Sequence, residues 1–234
     1  MSKESFDPFK IGKNEKAFGY IDVVDNPSAR YNMPVGVVNG AKDGPTIVVT
    51  GGLYPTEYYG IESASRLYQE IDPAKLSGRF IAIPVINMYG LQFRGPMKLI
   101  STGRNPIDML NINNSFPGDE NGKPSQVNAK RVYDILSKSN YHIDFRGGDL
   151  PESHLQHTIY DRIGSDIDDV AETMAKAAGY TYVLPGTPEI GHTSPGTMIY
   201  EAMNAGCASI ITEAGLGYRE QPLEKYIQAH IDAT

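Results

Sequence analysis

Three short runs of β-branched and apolar residues, each closed by turn residues, constrain this chain most. They are "PTIVVTGG" (Pro45 to Gly52), "RFIAIPVIN" (Arg79 to Asn87) and "CASIITEAG" (Cys207 to Gly215). Near-continuous apolar strands of this length are buried on both faces, as in a parallel sheet covered by helices. "YHIDFRGG" and "TYVLPG" read as two more strands.

Helical patterns lie between them. In Glu57 to Ile71, the residues Ile61, Ala64, Leu67, Tyr68 and Ile71 recur at helical spacing and form one apolar stripe. "PSQVNAKRVYDILSKS" opens on Pro124 and Ser125, both start signals. "DIDDVAETMAKAAG" begins acidic and stops at Gly179, and "GTMIYEAMNAG" stops at Gly206. Alternating strands and helices predict an α/β fold: a mainly parallel mixed sheet with helices on both faces, in one domain over residues 1–234. Residues 1–43, with "FGYIDV" and "MPVGVVNG", read as an antiparallel edge extension. Phe93 to Asp119 has little periodicity and many Gly, Pro and Asn residues, which marks a long functional loop.

A net charge of -7 argues against a nucleic-acid surface, which would want a basic stripe. No apolar run approaches the ~20 residues of a membrane span, and the first residues carry no apolar signal segment. The expectation is a cytoplasmic protein with a small-molecule ligand, no nucleic-acid partner and no membrane contact. The single cysteine, Cys207, lies in an apolar strand and reads as a buried structural thiol.

In open α/β sheets, ligands bind beyond the carboxyl ends of the strands. The residues expected there are Tyr54 and Glu57, then Asn87, then Arg146 and Asp149, and finally Glu213. Glu57 has a plainer reading as a first-turn residue favoured by the helix dipole. Arg146 has one as a counter-charge to the acids. Glu213, directly after Ile210-Ile211-Thr212 and before Ala214-Gly215, needs a partner or a raised pKa if buried. The histidines make poor metal ligands by pattern. His154 and His157 stand three apart on a strand or loop, His142 lies inside a strand, His192 in a loop and His230 in the last helix.

"DGPTIVVTGG", "AIPVIN", "NNSFPGD", "IDFRGGD", "SPGTMIYEAMNAG" and "ITEAGLG" follow one another from about Gly44 to Gly217. In order and spacing they resemble the succinylglutamate desuccinylase/aspartoacylase family of zinc-dependent deacylases, allied to the zinc carboxypeptidases. The resemblance implies the sheet architecture above, with 44–217 as the family core. In that family a His-Gly-Asp-Glu sequence after the first core strand supplies a histidine and a glutamate to zinc, and here Tyr54 and Glu57 match them. The third zinc ligand is a histidine, matched here by Arg146. The family's substrate-gripping Asn-Arg pair matches Asn113 and Asn114, and its water-activating glutamate matches Glu213. Family members usually carry a further β-rich region that often covers the cleft. This chain stops at Thr234, which implies either a short protein with an open site or a piece of a longer product. An open site would leave room for a partner subunit, hence a homo-oligomer.

A guanidinium has no lone pair to donate to a metal and does not deprotonate in proteins. The expectation is therefore no metal and no cofactor. Arg146 would pair with Glu57, keep it ionised, and bind a ligand carboxylate together with Asn113, Asn114, Asn87 and Asp149. Glu213, Tyr54 and Glu57 would carry acid/base chemistry. Two other readings stand beside this one: a non-catalytic binding or regulatory protein, and an ordinary zinc-dependent N-acyl amino acid deacylase drawing on His154 or His157.

Overall fold

The computed structural model describes residues 6–26, 29–93, 95, 102–149, 152–186, 193–217 and 223–234. Eight strands form one sheet: β1 (Glu15–Asn26), β2 (Ala29–Asn39), β3 (Lys42–Thr50), β4 (Ser77–Ile83), β5 (Tyr141–Arg146), β6 (Ser153–Tyr160), β7 (Tyr182–Pro185) and β8 (Ala208–Leu216). The helices are α1 (Tyr58–Glu70), α2 (Met88–Gln92), α3 (Pro124–Leu136), α4 (Ile167–Ala177), α5 (Met198–Asn204) and α6 (Glu224–Asp232).

The strand order is β1-β2-β4-β3-β5-β8-β6-β7. The inner four, β4, β3, β5 and β8, are mutually parallel, and they contain the three apolar runs. The β1–β2 hairpin joins β4 antiparallel at one edge. At the other edge β6 runs antiparallel to β8, and β7 runs parallel to β6. The expected mixed, mainly parallel sheet is thus correct in its centre and antiparallel toward both margins.

Alternation along the inner strands divides the core in two. Val48, Ile81 and Ile83 point to one face, where Val127, Val132 and Leu136 of α3 cover them. Val49, Phe80, Ala82, Ile143 and Phe145 point to the other, under Ala64 and Leu67 of α1 and Ala171 and Ala175 of α4. Because the inner strands are parallel, their carboxyl ends share one rim. There β3 leads through Gly52, whose φ of 58° suits glycine, toward α1. Gly60 in α1 lies so close to β5 that a Cβ would sit 2.2 Å from the Phe145 carbonyl oxygen. That close approach fixes the start of α1 beside the end of β5.

The sequence of β6 reads as a strand or a loop, and α2 is a short helix that the sequence reading does not contain. No described helix is long and apolar enough to cross a membrane.

Candidate active site

Register sets the first layer of the rim. Thr50 on β3 lies beside Asp144 on β5, and Arg146 at the end of β5 lies beside Glu213 on β8. Paired positions share a face, so Asp144, Arg146 and Glu213 project together. Arg146 is 1% exposed, Asp144 0%, Glu213 5% and Glu57 7%, so four ionisable side chains meet almost without solvent.

Arg146 Nε donates to Asp144 Oδ2 at 2.5 Å. Thr50 donates to the other Asp144 oxygen at 2.6 Å. The guanidinium lies over the Tyr54 ring, 5.2 Å from its centroid, a cation–π geometry. Burial works against the guanidinium's charge, but Asp144 first, then Tyr54, Glu213 and Glu57, outweigh it and hold Arg146 above its ordinary range.

The expected Arg146–Glu57 pair is replaced by this Arg146–Asp144 pair. Asp144 precedes Arg146 by two on one strand and reaches Nε without leaving the strand. Glu57 occupies the N-cap position of α1, where its side chain makes no cap hydrogen bond. Its Oε2 instead faces the Gly147 N–H at 3.4 Å. The surroundings of Glu57 oppose its charge more than Arg146 favours it. Burial, then the Glu213 carboxyl, push it well above the usual carboxylate range, and Arg146 offsets only part of this. Burial likewise pushes Glu213 up to about 8, with Arg146 opposing and Asp144 and Glu152 adding to the rise. Glu213 Oε2 has no hydrogen-bond partner among the described residues. Burial also raises the Tyr54 hydroxyl, against Arg146 and the nearby Asn113 and Asn111 amides.

The other expected ligand residues divide. Asn113, on the short 3-10 turn Ile112–Asn114, is buried and accepts from the Met198 N–H at 3.2 Å. Its Nδ2 has no partner of normal geometry among the described residues, although it lies on the Tyr54 side. Asn114 on the same turn is exposed. Asn87 is fully buried and caps α2, accepting from Gly90 at 2.9 Å. Asp149 accepts from the Thr56 hydroxyl at 2.6 Å, which ties the loop before α1 to the loop after β5. Sequence reasoning missed Thr56, Asn111 and Asp144. Only Asp144 carried a usable signal, its Asp-x-Arg spacing on a strand.

His154 and His157 sit on β6 with ring centroids 5.8 Å apart, across a register irregularity. His142 is buried in β5, and burial pushes it down to about 4. His230 is buried with its Nδ1 facing the Tyr180 and Thr212 hydroxyls. His192 lies outside the described residues. Among the described residues, no three His, Cys, Asp or Glu side chains come together as a metal-holding group.

Residues 43–229 match the model of the succinylglutamate desuccinylase/aspartoacylase catalytic domain. The chain belongs to this family. The family match ends inside α6, beyond the 44–217 core expected from motifs. Among relatives, the N-alpha-acetyl-L-2,4-diaminobutyric acid deacetylase of Halomonas elongata is 29% identical over 126 residues, which is 54% of this chain and 32% of that protein. A succinylglutamate desuccinylase/aspartoacylase structure from Rhodobacter sphaeroides superposes with a TM-score of 0.77 at 23% identity, covering 96% of this chain and 65% of that one. The product-bound ectoine utilization protein EutE (DoeB) from Ruegeria pomeroyi gives 0.78 at 20% identity, over 96% and 67%. This chain spans about a third of the deacetylase and about two thirds of these two solved chains. Family members are deacylases by description, and the family fold agrees with the sheet found here.

Proposed function

We propose that this chain is a metal-independent member of the desuccinylase/aspartoacylase family that binds a small amino-acid-like carboxylate and acts on it by proton transfer. The observation that carries this reading is the guanidinium of Arg146 standing among Glu57, Glu213 and Tyr54. The family implies zinc, but the donors here do not fit it. Catalytic zinc takes three N, O or S ligands plus water. Here the set is one buried carboxyl of raised pKa, a phenol held neutral by burial, and a side chain with no lone pair. A fixed positive charge ~4 Å from a divalent cation would add about 8 kcal/mol of repulsion at an effective dielectric near 20.

In this reading Arg146 offers N–H donors to a ligand carboxylate or to a developing oxyanion. Glu213, pushed up to about 8, holds a proton it can give near neutral pH and takes one back after donating. Tyr54 remains a phenol and can donate a hydrogen bond. Asn113 borders the same space. Proton abstraction next to a carbonyl, elimination and isomerisation are all within reach of such a set.

The depth of Arg146, 1% exposed and ion-paired to Asp144, favours a second reading: a binding protein without turnover. N-acetyl-L-2,4-diaminobutyrate, by analogy with the Halomonas relative, and N-acetylglycine are suitable first probes. Calorimetry with each, beside NMR of the mixture in the presence of a chelator, distinguishes the readings. Glu213→Gln should abolish any turnover in an enzyme and leave affinity nearly unchanged in a binder. Deacetylation that a chelator abolishes would exclude both.

A further inference from the structure

The buried donors around β5 form a directed chain. Thr50 Oγ1 lies 2.6 Å from Asp144 Oδ1 and 2.9 Å from His142 Nε2. The one hydroxyl proton goes to the carboxylate, so Thr50 must accept from His142, which assigns the proton of that ring to Nε2. His142 Nδ1 then faces Ser209 Oγ at 3.3 Å. His142 is fully buried, and burial pushes it down to about 4, so it is neutral and serves as donor on one side only. At the far end Asp144 Oδ2 accepts from Arg146 Nε. Both carboxylate oxygens are thus occupied from opposite sides, one by a hydroxyl fixed to β3 and one by the guanidinium.

We infer that Asp144 is a positioning residue, oriented by Thr50 and His142, which fixes the plane of the Arg146 guanidinium and balances its charge. This rests on the reading of Arg146 as the ligand-anchoring group. Its consequence is that the site presents aimed N–H donors rather than a free net charge. Free inorganic anions then gain little, while a ligand whose oxygens match the fork is selected. Asp144 acts through Arg146 and need not touch the ligand.

Asn at this position would keep the shape. Its oxygen would turn to Arg146 and its amide to Thr50, whose hydroxyl can accept, so Asp144→Asn removes charge more than contact. The readout is the Nε–H cross-peak of Arg146 in nitrogen–proton NMR, identified by its loss in Arg146→Met. In the wild type this proton should exchange slowly. Asp144→Asn should speed its exchange by about tenfold or more, and Thr50→Val by a smaller factor, because a charge-assisted bond is weakened in each. Should Asp144→Asn fail to fold, Thr50→Val still decides. An unchanged cross-peak in every variant that folds overturns the inference. Arg146→Met tests ligand anchoring through loss of N-acetylglycine binding, whereas the cross-peak reports on Asp144 alone, so either claim can fail without the other.

Discussion

Arg146 Nε and Asp144 Oδ2 stand 2.5 Å apart, two residues from each other on one strand and almost wholly out of solvent. Removing one member leaves the other's charge buried and uncompensated, so Asp144→Ala should destabilise the fold by about 3–5 kcal/mol. Asp144→Leu combined with Arg146→Met should recover a large part, because apolar side chains can replace a buried ion pair at little cost. Urea unfolding of the single and double variants checks this. Losses that merely add would show that the two residues are not coupled.

Glu213 sets a pH dependence of stability. Its folded pKa of about 8 lies above the ordinary 4.5, so the folded state binds the proton more tightly than the unfolded chain does. The sign follows: the contribution is complete below about 4.5 and is lost as pH rises from there through about 8. The loss should be on the order of a few kcal/mol, with Glu57 shifting in the same direction. Glu213→Gln imitates the protonated carboxyl. Relative to the wild type it should therefore be more stable at about pH 9 than at about pH 6, as measured by denaturation at both. Parallel curves for the two proteins would contradict the assignment.

Tyr54 should matter more for its ring than for its hydroxyl in stability. Tyr54→Phe keeps the face beneath Arg146, whereas Tyr54→Leu removes it. Loss of a desolvated cation–π contact should cost about 1–2 kcal/mol beyond the Phe variant. Equal thermal midpoints for the two variants would remove the ring from the account.

Much of this arrangement was readable in the chain. Parallel strands buried on both faces need continuous apolar runs, and those runs locate β3, β4 and β8 and place Glu57 and Glu213 at one rim, with Arg146 at the end of the shorter run "YHIDFRGG". The strand β6 was less legible. It pairs antiparallel to β8 with an irregular register, and its mixture of exposed and buried positions lacks a clean period. The expected Arg146–Glu57 pair follows from the resemblance, which sets both residues at zinc-ligand positions. The decisive fact was local: residues two apart on a strand share a face, which puts Asp144 against the guanidinium. Asn113 and Asn114 are adjacent in sequence, and only the turn geometry buries one and exposes the other.

If Tyr54 and Arg146 occupy former ligand positions, restoring histidine at both should restore zinc affinity. Tyr54→His with Arg146→His would give two imidazoles beside Glu57, the three protein ligands of a catalytic zinc site. The double variant should take up zinc in calorimetry, and neither single variant should match it. Failure of the double variant to bind would count against the placement of these residues.

Zinc content of the unaltered protein tests the central claim most directly. Elemental analysis after purification in zinc-supplemented, chelator-free buffer should find far less than one zinc per chain, with no stabilisation on adding more. One equivalent of zinc, lost on Glu57→Gln, would contradict the account.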